Sequence, residues 1–325
     1  MKTAVLTALC GAETERGSMD RVRRQLGCSD EVQWEAQRTQ RRVTVAVLDT
    51  GVSFHPDLRG RIVAFRDFVH GRSAVYDDSG HGTHVCGCIG GDGTASGGRY
   101  KGIAPGCLLC VGKVLDEKGE GRIETMRRGL EWVLQNRTQY QIRVLNISIG
   151  LGQNSDEEKM RELQEILQEA WESGIIVVCA AGNNGPDEDS ISPLGRGNRV
   201  ITVGCHEGGY FGNRRDLCEN YSGRGSSRLQ YRKPDLVAPG TDIVSCNAAW
   251  RRFGNGYQNV YIKKSGTSMA TPIVSGAAAL LLQKEGELGN EEVKRRMVFC
   301  ARDLGDDWRK QGWGMIDIGR LLRIG

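Results

Sequence analysis

Proline is scarce in this chain of 325 residues, with 7 against 45 glycines. No Pro/Ser-rich stretch and no internal repeat divides the chain, so nothing marks a linker between two domains. Aromatic residues make up 6% and the formal net charge is only +4. A nucleic-acid surface calls for a denser basic patch interleaved with aromatics, and the arginines over residues 16–42 read instead as a solvated basic face. No nucleic-acid partner is expected. No apolar run reaches the roughly 18 residues that suggest a membrane helix, so no membrane partner is expected either. The opening residues, MKTAVLTALCGAETERG, hold one lysine and an apolar stretch broken at Thr7, and Cys10 follows Leu9. Neither a secretory signal nor a lipoprotein cleavage site fits that pattern.

Cysteine is plentiful, with 11 residues. Without an export signal these point to a reducing cytoplasm and free thiols. Cys86 and Cys88, with Cys107 and Cys110, superficially suggest a metal site. The first pair falls in an expected helix and the second on an expected strand, three apart and on opposite faces, so buried thiols filling core spaces are favoured. Sequons begin at Asn136, Asn146 and Asn220, the second inside an apolar strand. No feature of the sequence reports the oligomeric state.

Short apolar runs alternate with amphipathic ones. Residues Val43–Leu48, Leu108–Val114, Val144–Ile149, Ile175–Cys179 and Val200–Val203 read as strands, several apolar on both faces. Between them, residues 122–137 and 156–173 each carry a stripe of apolar residues at helical spacing. Ser155 with Glu158 has the spacing of a capping box, and Gly174 suits the helix exit. Strand alternating with helix implies parallel pairing in one doubly wound α/β domain. Residues 205–233 read as surface loops around one short strand, and residues 1–18 as an appendage.

Open α/β sheets bind ligands at the carboxyl ends of their strands. The first strand ends at Asp49, followed by Thr50 and Gly51. A turn-forming run, Asp77–Gly80, delivers His81 to the start of a helix of small residues; the dipole there favours a neutral imidazole, able to act as a base. His55, His70, His84 and His206 read as structural. The strand ending at Cys179 runs into Ala180, Ala181, Gly182 and Asn183, whose amide is a donor for a developing oxyanion, although Asn-Asn-Gly is also strong turn chemistry. Ser268, in GTSMATP (266–272), sits in the first turn of an apolar helix where backbone N–H groups are unpaired. Pro272 is expected to be tolerated near that helix start. Each piece alone has a plainer reading as a turn or a cap. The chain order Asp, His, Ser matches one of the known arrangements of a hydrolytic triad.

With those residues in place, LDTGV (48–52), GHGTHV (80–85), AAGNNG (180–185) and GTSMATP (266–272) resemble the motifs of the subtilisin-like serine proteases. HPDL (55–58), YKGIAPG (100–106), LNISIG (145–150), KPDLVAPG (233–240) and GWGMIDI (312–318) extend the resemblance over about residues 20–322. It implies an α/β fold of the subtilisin-like type, three layers, doubly wound, with a mainly parallel central sheet covered by helices on both faces. It implies a short N-terminal extension at 1–18 and a catalytic domain at 19–325. It assigns Asp49 as orienter, His81 as base then acid, Ser268 as nucleophile, and Asn183 to the oxyanion hole. Substrate would add as an extended strand between Lys113–Gly121, with Gly119, Glu120 and Gly121 at its contact, and Ser148, Ile149 and Gly150. Ala180, Ala181 and Gly182 would line the first specificity pocket, favouring apolar or aromatic side chains before the cut. The expected partners are peptide or protein substrates. No cofactor is expected. Asp57 occupies the position of a family calcium ligand, but the loop GGDGTASGGRYKG (90–102) departs from the calcium-binding form, so structural calcium is disfavoured. Few residues precede the catalytic domain, so the chain is expected to resemble the intracellular branch or to be a mature product. The competing expectation is a silent binding or regulatory scaffold of the same fold; the presence of every catalytic residue type speaks against it. An α/β-hydrolase is disfavoured because its G-x-S-x-G elbow is missing.

Overall fold

A computed structural model describes residues 18–149, 156–208, 217–254 and 256–324. Its centre is a seven-stranded sheet. The strands are β1 (Thr44–Asp49), β2 (Ile62–Asp67), β3 (Leu108–Lys113), β4 (Ile142–Ile147), β5 (Ile176–Ala180), β6 (Ile201–Cys205) and β7 (Leu236–Ala238). All pairings within it are parallel, in the order β2-β3-β1-β4-β5-β6-β7. From β1 the chain crosses to the edge strand β2, steps back inward to β3, then passes β1 and runs outward on the other side from β4 onward. The direction switches beside β1, which is where a doubly wound sheet opens a crevice at its carboxyl edge.

The helices are α1 (Met19–Gln25), α2 (Asp30–Gln37), α3 (His81–Gly90), α4 (Ile123–Asn136), α5 (Glu157–Glu172), α6 (Thr267–Lys284) and α7 (Asn290–Cys300), followed by two single turns. Alternation along β1 places them. Leu48 points to α4, where a Cβ on Gly129 would meet its methyl groups, and Asp49 points to α3, where a Cβ on Gly82 would meet its carboxylate. On the α3 side α6 crosses β4, β5 and β6 and packs on α3. Residues 269–283 of α6 are buried throughout, as its nearly unbroken apolar run requires. Ser275 of α6 donates at 2.8 Å to Oδ1 of Asn146, which is itself fully buried on β4, so the sequon there is inaccessible. Every residue of β1, β5, β6 and β7 is buried, which fits strands apolar on both faces.

Several sequence expectations change. The Ser155 cap lies outside the described residues; Asp156 caps α5, accepting the N–H of Glu158 at 3.1 Å and of Lys159 at 3.4 Å. The described part of 205–233 is not simply surface. Ser222 and Ser226 are buried, and the backbone of 221–225 hydrogen-bonds along 182–190. Its Gly and Ser residues allow that close approach and hide any apolar periodicity. Cys205 and Cys218, expected as free thiols, form a disulfide. Cys28, Cys86, Cys88, Cys107, Cys110, Cys179, Cys246 and Cys300 are free and buried.

Candidate active site

Asp49 ends β1 with no exposed surface. Its Oδ1 accepts the Thr50 N–H at 2.8 Å and lies 2.7 Å from Nδ1 of His81. The sequence delivers the histidine through Gly80, whose φ of +78° suits glycine, and through Asp77. Oδ1 of Asp77 accepts from the Thr50 hydroxyl at 2.8 Å and the Gly80 N–H at 2.7 Å, while Oδ2 accepts from the Thr83 N–H at 2.8 Å and its hydroxyl at 2.6 Å. The carboxylate therefore ties the β1 exit to the first turn of α3, and favours the positive end of that helix. Gly82 donates to the Thr50 hydroxyl at 2.9 Å, and no larger residue fits, because a Cβ would lie 2.1 Å from the Gly51 carbonyl. Beneath the same turn, the ammonium of fully buried Lys113 donates to the Thr50 carbonyl, the Leu115 carbonyl and Asp78 at 2.7–2.8 Å.

Sequence reasoning gave Asp77 only a turn and Lys113 only the start of a substrate segment, and left the support they lend Thr50 unseen. The signal available was a lysine inside an apolar strand and an Asp pair in the turn before the histidine. The helix-dipole effect that would depress the basicity of His81 is offset by its neighbour. Burial acts to lower its pKa, but the charge and hydrogen bond of Asp49 outweigh burial and raise it above the ordinary imidazole value. His84, one turn on, is structural. Burial drives its pKa down to about 3, and its Nε2 meets the Ile243 carbonyl at 2.9 Å.

Ser268 lies in the first turn of α6, partly exposed, behind Gly266. Asn183 stands opposite. Its Oδ1 accepts both the N–H and the hydroxyl of Thr267 at 3.0 Å, which orients the amide and leaves Nδ2 as the outward donor. A Cβ on Gly266 would sit 3.3 Å from that Nδ2 and 3.7 Å from the Ser268 nitrogen, so two donors converge on the space glycine leaves empty. Pro272 stands deeper than the sequence suggested. It is the sixth residue of α6, where its missing N–H removes the intrahelical donor from the Ser268 carbonyl.

A family model described as the subtilase family matches residues 40–314, a span that includes all four of these residues. This chain belongs to the subtilase family of serine peptidases. It is 38% identical over 288 residues to serine protease AprX of Bacillus subtilis (strain 168), covering 84% of this chain but 63% of that relative's length. It is 33% identical over 293 residues to an intracellular serine protease of Paenibacillus polymyxa, covering 86% of this chain and 80% of the relative. Among solved structures, sphericase aligns with a TM-score of 0.71 at 27% identity, covering 84% of this chain and 90% of that one.

The segments a subtilase would use for substrate lie around this edge. Gly119, Glu120 and Gly121 are exposed on a turn closed by the bridge between Leu115 and Gly121. Ser148 and Ile149 are buried at the β4 exit; the Ser148 hydroxyl accepts from Asn146 at 2.9 Å. Gly150 lies outside the described residues. Ala180 and Ala181 are buried, and the Ala181 and Gly182 carbonyls accept N–H groups of Ser192 and Gly223 at 2.8 Å. The 221–226 segment thus backs this wall. A cavity of about 370 Å³ bounded by Gln164, Arg196 and Tyr231 touches none of these residues.

The donors around Asp57 do not make a calcium cradle. Oδ1 accepts the Ala95 N–H at 2.8 Å, Oδ2 the Tyr261 hydroxyl at 2.7 Å, and the main-chain carbonyl the Asp92 N–H at 3.0 Å. Calcium needs six to eight oxygen ligands, and here protein donors already engage the hard ones. The neighbouring His55 has both ring nitrogens engaged, with the Asp57 N–H and the Val260 carbonyl.

Proposed function

We propose that the chain is an active serine endopeptidase working through Asp49, His81 and Ser268. The observation that carries this reading is the 2.7 Å contact between the fully buried Asp49 carboxylate and Nδ1 of His81. It fixes the tautomer with Nε2 free to take a proton. His81 removes the Ser268 hydroxyl proton as the oxygen attacks the peptide carbonyl. Nδ2 of Asn183 and the Ser268 N–H receive the oxyanion. His81 then protonates the departing amine, leaving an acyl-enzyme that water hydrolyses by the same steps in reverse roles.

Substrate binds as an extended strand between Gly119–Gly121 and Ser148–Gly150. Ala180, Ala181 and Gly182 carry no charge, which supports an apolar or aromatic preference before the cut. The chemistry asks for no metal or cofactor. We assign residues 19–325 to the catalytic domain and 1–18 to a short extension, and place the protein in the cytoplasm. The free buried thiols and the intracellular serine protease among its relatives support that compartment.

The test is mass spectrometry after exposure to a fluorophosphonate, beside Ser268→Ala. One adduct on Ser268, missing from the variant, establishes an activated nucleophile. Folded protein that takes no adduct and cleaves no peptide library overturns the reading and leaves a scaffold.

A further inference from the structure

We propose that Cys205 and Cys218 are a reversible thiol–disulfide modification site that governs the wall behind Asn183 and Ser268. The bond joins the carboxyl end of β6 to the single turn Leu217–Asn220, and both residues are fully buried. Two lines of contact lead from it to the site. On one, the Cys205 sulfur packs on Gly240, where a Cβ would lie 2.7 Å away; the Gly240 carbonyl accepts the Gly266 N–H at 2.9 Å, and Gly266 opens the turn that carries Ser268. On the other, the Cys218 carbonyl accepts the N–H groups of Tyr221 and Ser222 at 3.1 and 2.9 Å. The Tyr221 carbonyl accepts the Gly185 N–H at 2.9 Å, and Gly223 donates to the Gly182 carbonyl at 2.8 Å. One covalent bond therefore spans both supports of the Asn183–Ser268 pair.

The surroundings suit the reduced form as well. Oε1 of Glu207 lies 2.8 Å from the Cys218 sulfur and 3.5 Å from that of Cys205. The Tyr221 hydroxyl is 3.3 Å from Cys205, and the Thr241 hydroxyl 3.3 Å from Cys218. A disulfide has no proton to donate, whereas two thiols here meet a carboxylate and hydroxyl acceptors. Opening the bond adds two hydrogens and moves the sulfurs to van der Waals separation, in a space closed by Gly240 on one side and Glu207 on the other. Interiors yield to such volume by shifting backbone. Leu217, beside Cys218, is 46% exposed, so opening of this one turn brings the bond to solvent.

The chemistry is exchange with a low-molecular-weight disulfide. One thiolate of the pair attacks it, forming a mixed disulfide and releasing a small thiol. The second cysteine attacks the mixed disulfide, closing the Cys205–Cys218 bond and releasing the second small thiol. The protein loses two electrons and two protons, and the reagent gains both. A small thiol reverses each step.

The activity readout rests on the peptidase reading above, so the test pairs it with one that does not. The full chain is equilibrated in glutathione and glutathione disulfide mixtures, and the bond is scored by alkylation and mass. Two quantities follow: the rate of fluorophosphonate labelling at Ser268, and amide exchange over 181–185 and 219–226. Opening the bond is expected to slow labelling about ten- to hundredfold, the range for displacing a reacting group by about an ångström. It is also expected to raise exchange in both segments. Cys205→Ala/Cys218→Ala, which lacks the bond, should label at one rate in every buffer. Should that variant fail to fold, Cys179→Ala and Cys86→Ala serve, each keeping the full response. Unchanged labelling and exchange after complete opening overturn the proposal, as does a response that either single variant abolishes. Protein that labels in neither state overturns the peptidase reading, and exchange alone then decides for or against the switch.

Discussion

Replacing Lys113 by methionine tests whether a residue remote from any bond-making step holds the Asp49 carboxylate in place. The lysine ammonium is fully buried and makes three bonds of 2.7–2.8 Å, to the carbonyls of Thr50 and Leu115 and to Asp78. Methionine fills the stem and removes all three. Thr50 and Leu115 are buried, so each carbonyl loses its donor at a cost of about 1–3 kcal/mol. Asp78, whose side chain is 31% exposed, rehydrates and adds little. Relief from burying an ammonium offsets part of this, leaving a net loss of about 2–4 kcal/mol. Urea unfolding in a Ser268→Ala background, which cannot digest itself on the reading above, measures that loss. Catalysis is read in the otherwise native chain, below its unfolding range. The freed Thr50 turn no longer fixes Asp49 and Gly82, so kcat should fall about tenfold with KM nearly unchanged. A stability change under about 1 kcal/mol together with native kcat would refute the support assigned to Lys113.

Asp49→Asn removes the charge that raises the His81 pKa, so kcat should drop about 10⁴-fold. The acidic limb of residual activity should move to lower pH. The linked stability has a definite sign: a raised histidine stabilises the fold fully below its unfolded pKa, about 6.5, and that contribution vanishes as pH rises through the folded value. Urea midpoints at pH 5 and pH 9 should therefore show the variant's deficit larger at the acid end, and an equal deficit at both would contradict the pairing. Asn183→Asp keeps an acceptor for Thr267 but replaces the Nδ2 donor, so steady-state kinetics should show kcat lower by about 10²–10³ with little change in KM. Gly82→Ala sets helix propensity against a Cβ placed 2.1 Å from the Gly51 carbonyl, and the clash wins. The expected cost is about 1–3 kcal/mol and a hundredfold in kcat/KM, checked by thermal melts and peptide turnover.

Much of the sheet could be read from the chain because parallel strands covered on both sides must be apolar throughout. All five strands inferred from 43–205 appear within a residue or two of their expected ends. The strands β2 and β7 escaped for physical reasons. Along β2, Ala64 and Phe65 are only partly covered and Val63 is exposed, and β7 is three residues long. Of the candidate site, Asp49, His81 and Ser268 stood out because each ends a strand or begins a helix, whereas Gly119–Gly121 lie on a turn and were named only through the family resemblance. The supports of Asp49 and His81 did not stand out. Asp77 and Lys113 act through distances of 27 and 63 positions to Thr50, and no local pattern encodes such a contact. The Cys205–Cys218 bond was hidden differently. Composition alone argued for free thiols, and that argument holds for the buried cysteines around it.

One feature of Asp49 ties these supports to the proposed chemistry. Its Oδ1 receives His81 and Thr50, while the buried Oδ2 has no hydrogen-bond partner among the described residues. A fully satisfied carboxylate would be better stabilised alone and would attract a neighbouring proton less. The buried Asp49 charge and its hydrogen bond to Nδ1 are how His81 gains affinity for its proton despite its own burial. Holding such a group in place requires rigid neighbours. Asp77, Thr50 and Lys113 meet that need from three separate segments without donating to the free oxygen themselves. The basicity of the histidine thus follows from the same geometry that fixes the carboxylate, and a substitution that loosened Asp49 would weaken the base on the proposed mechanism.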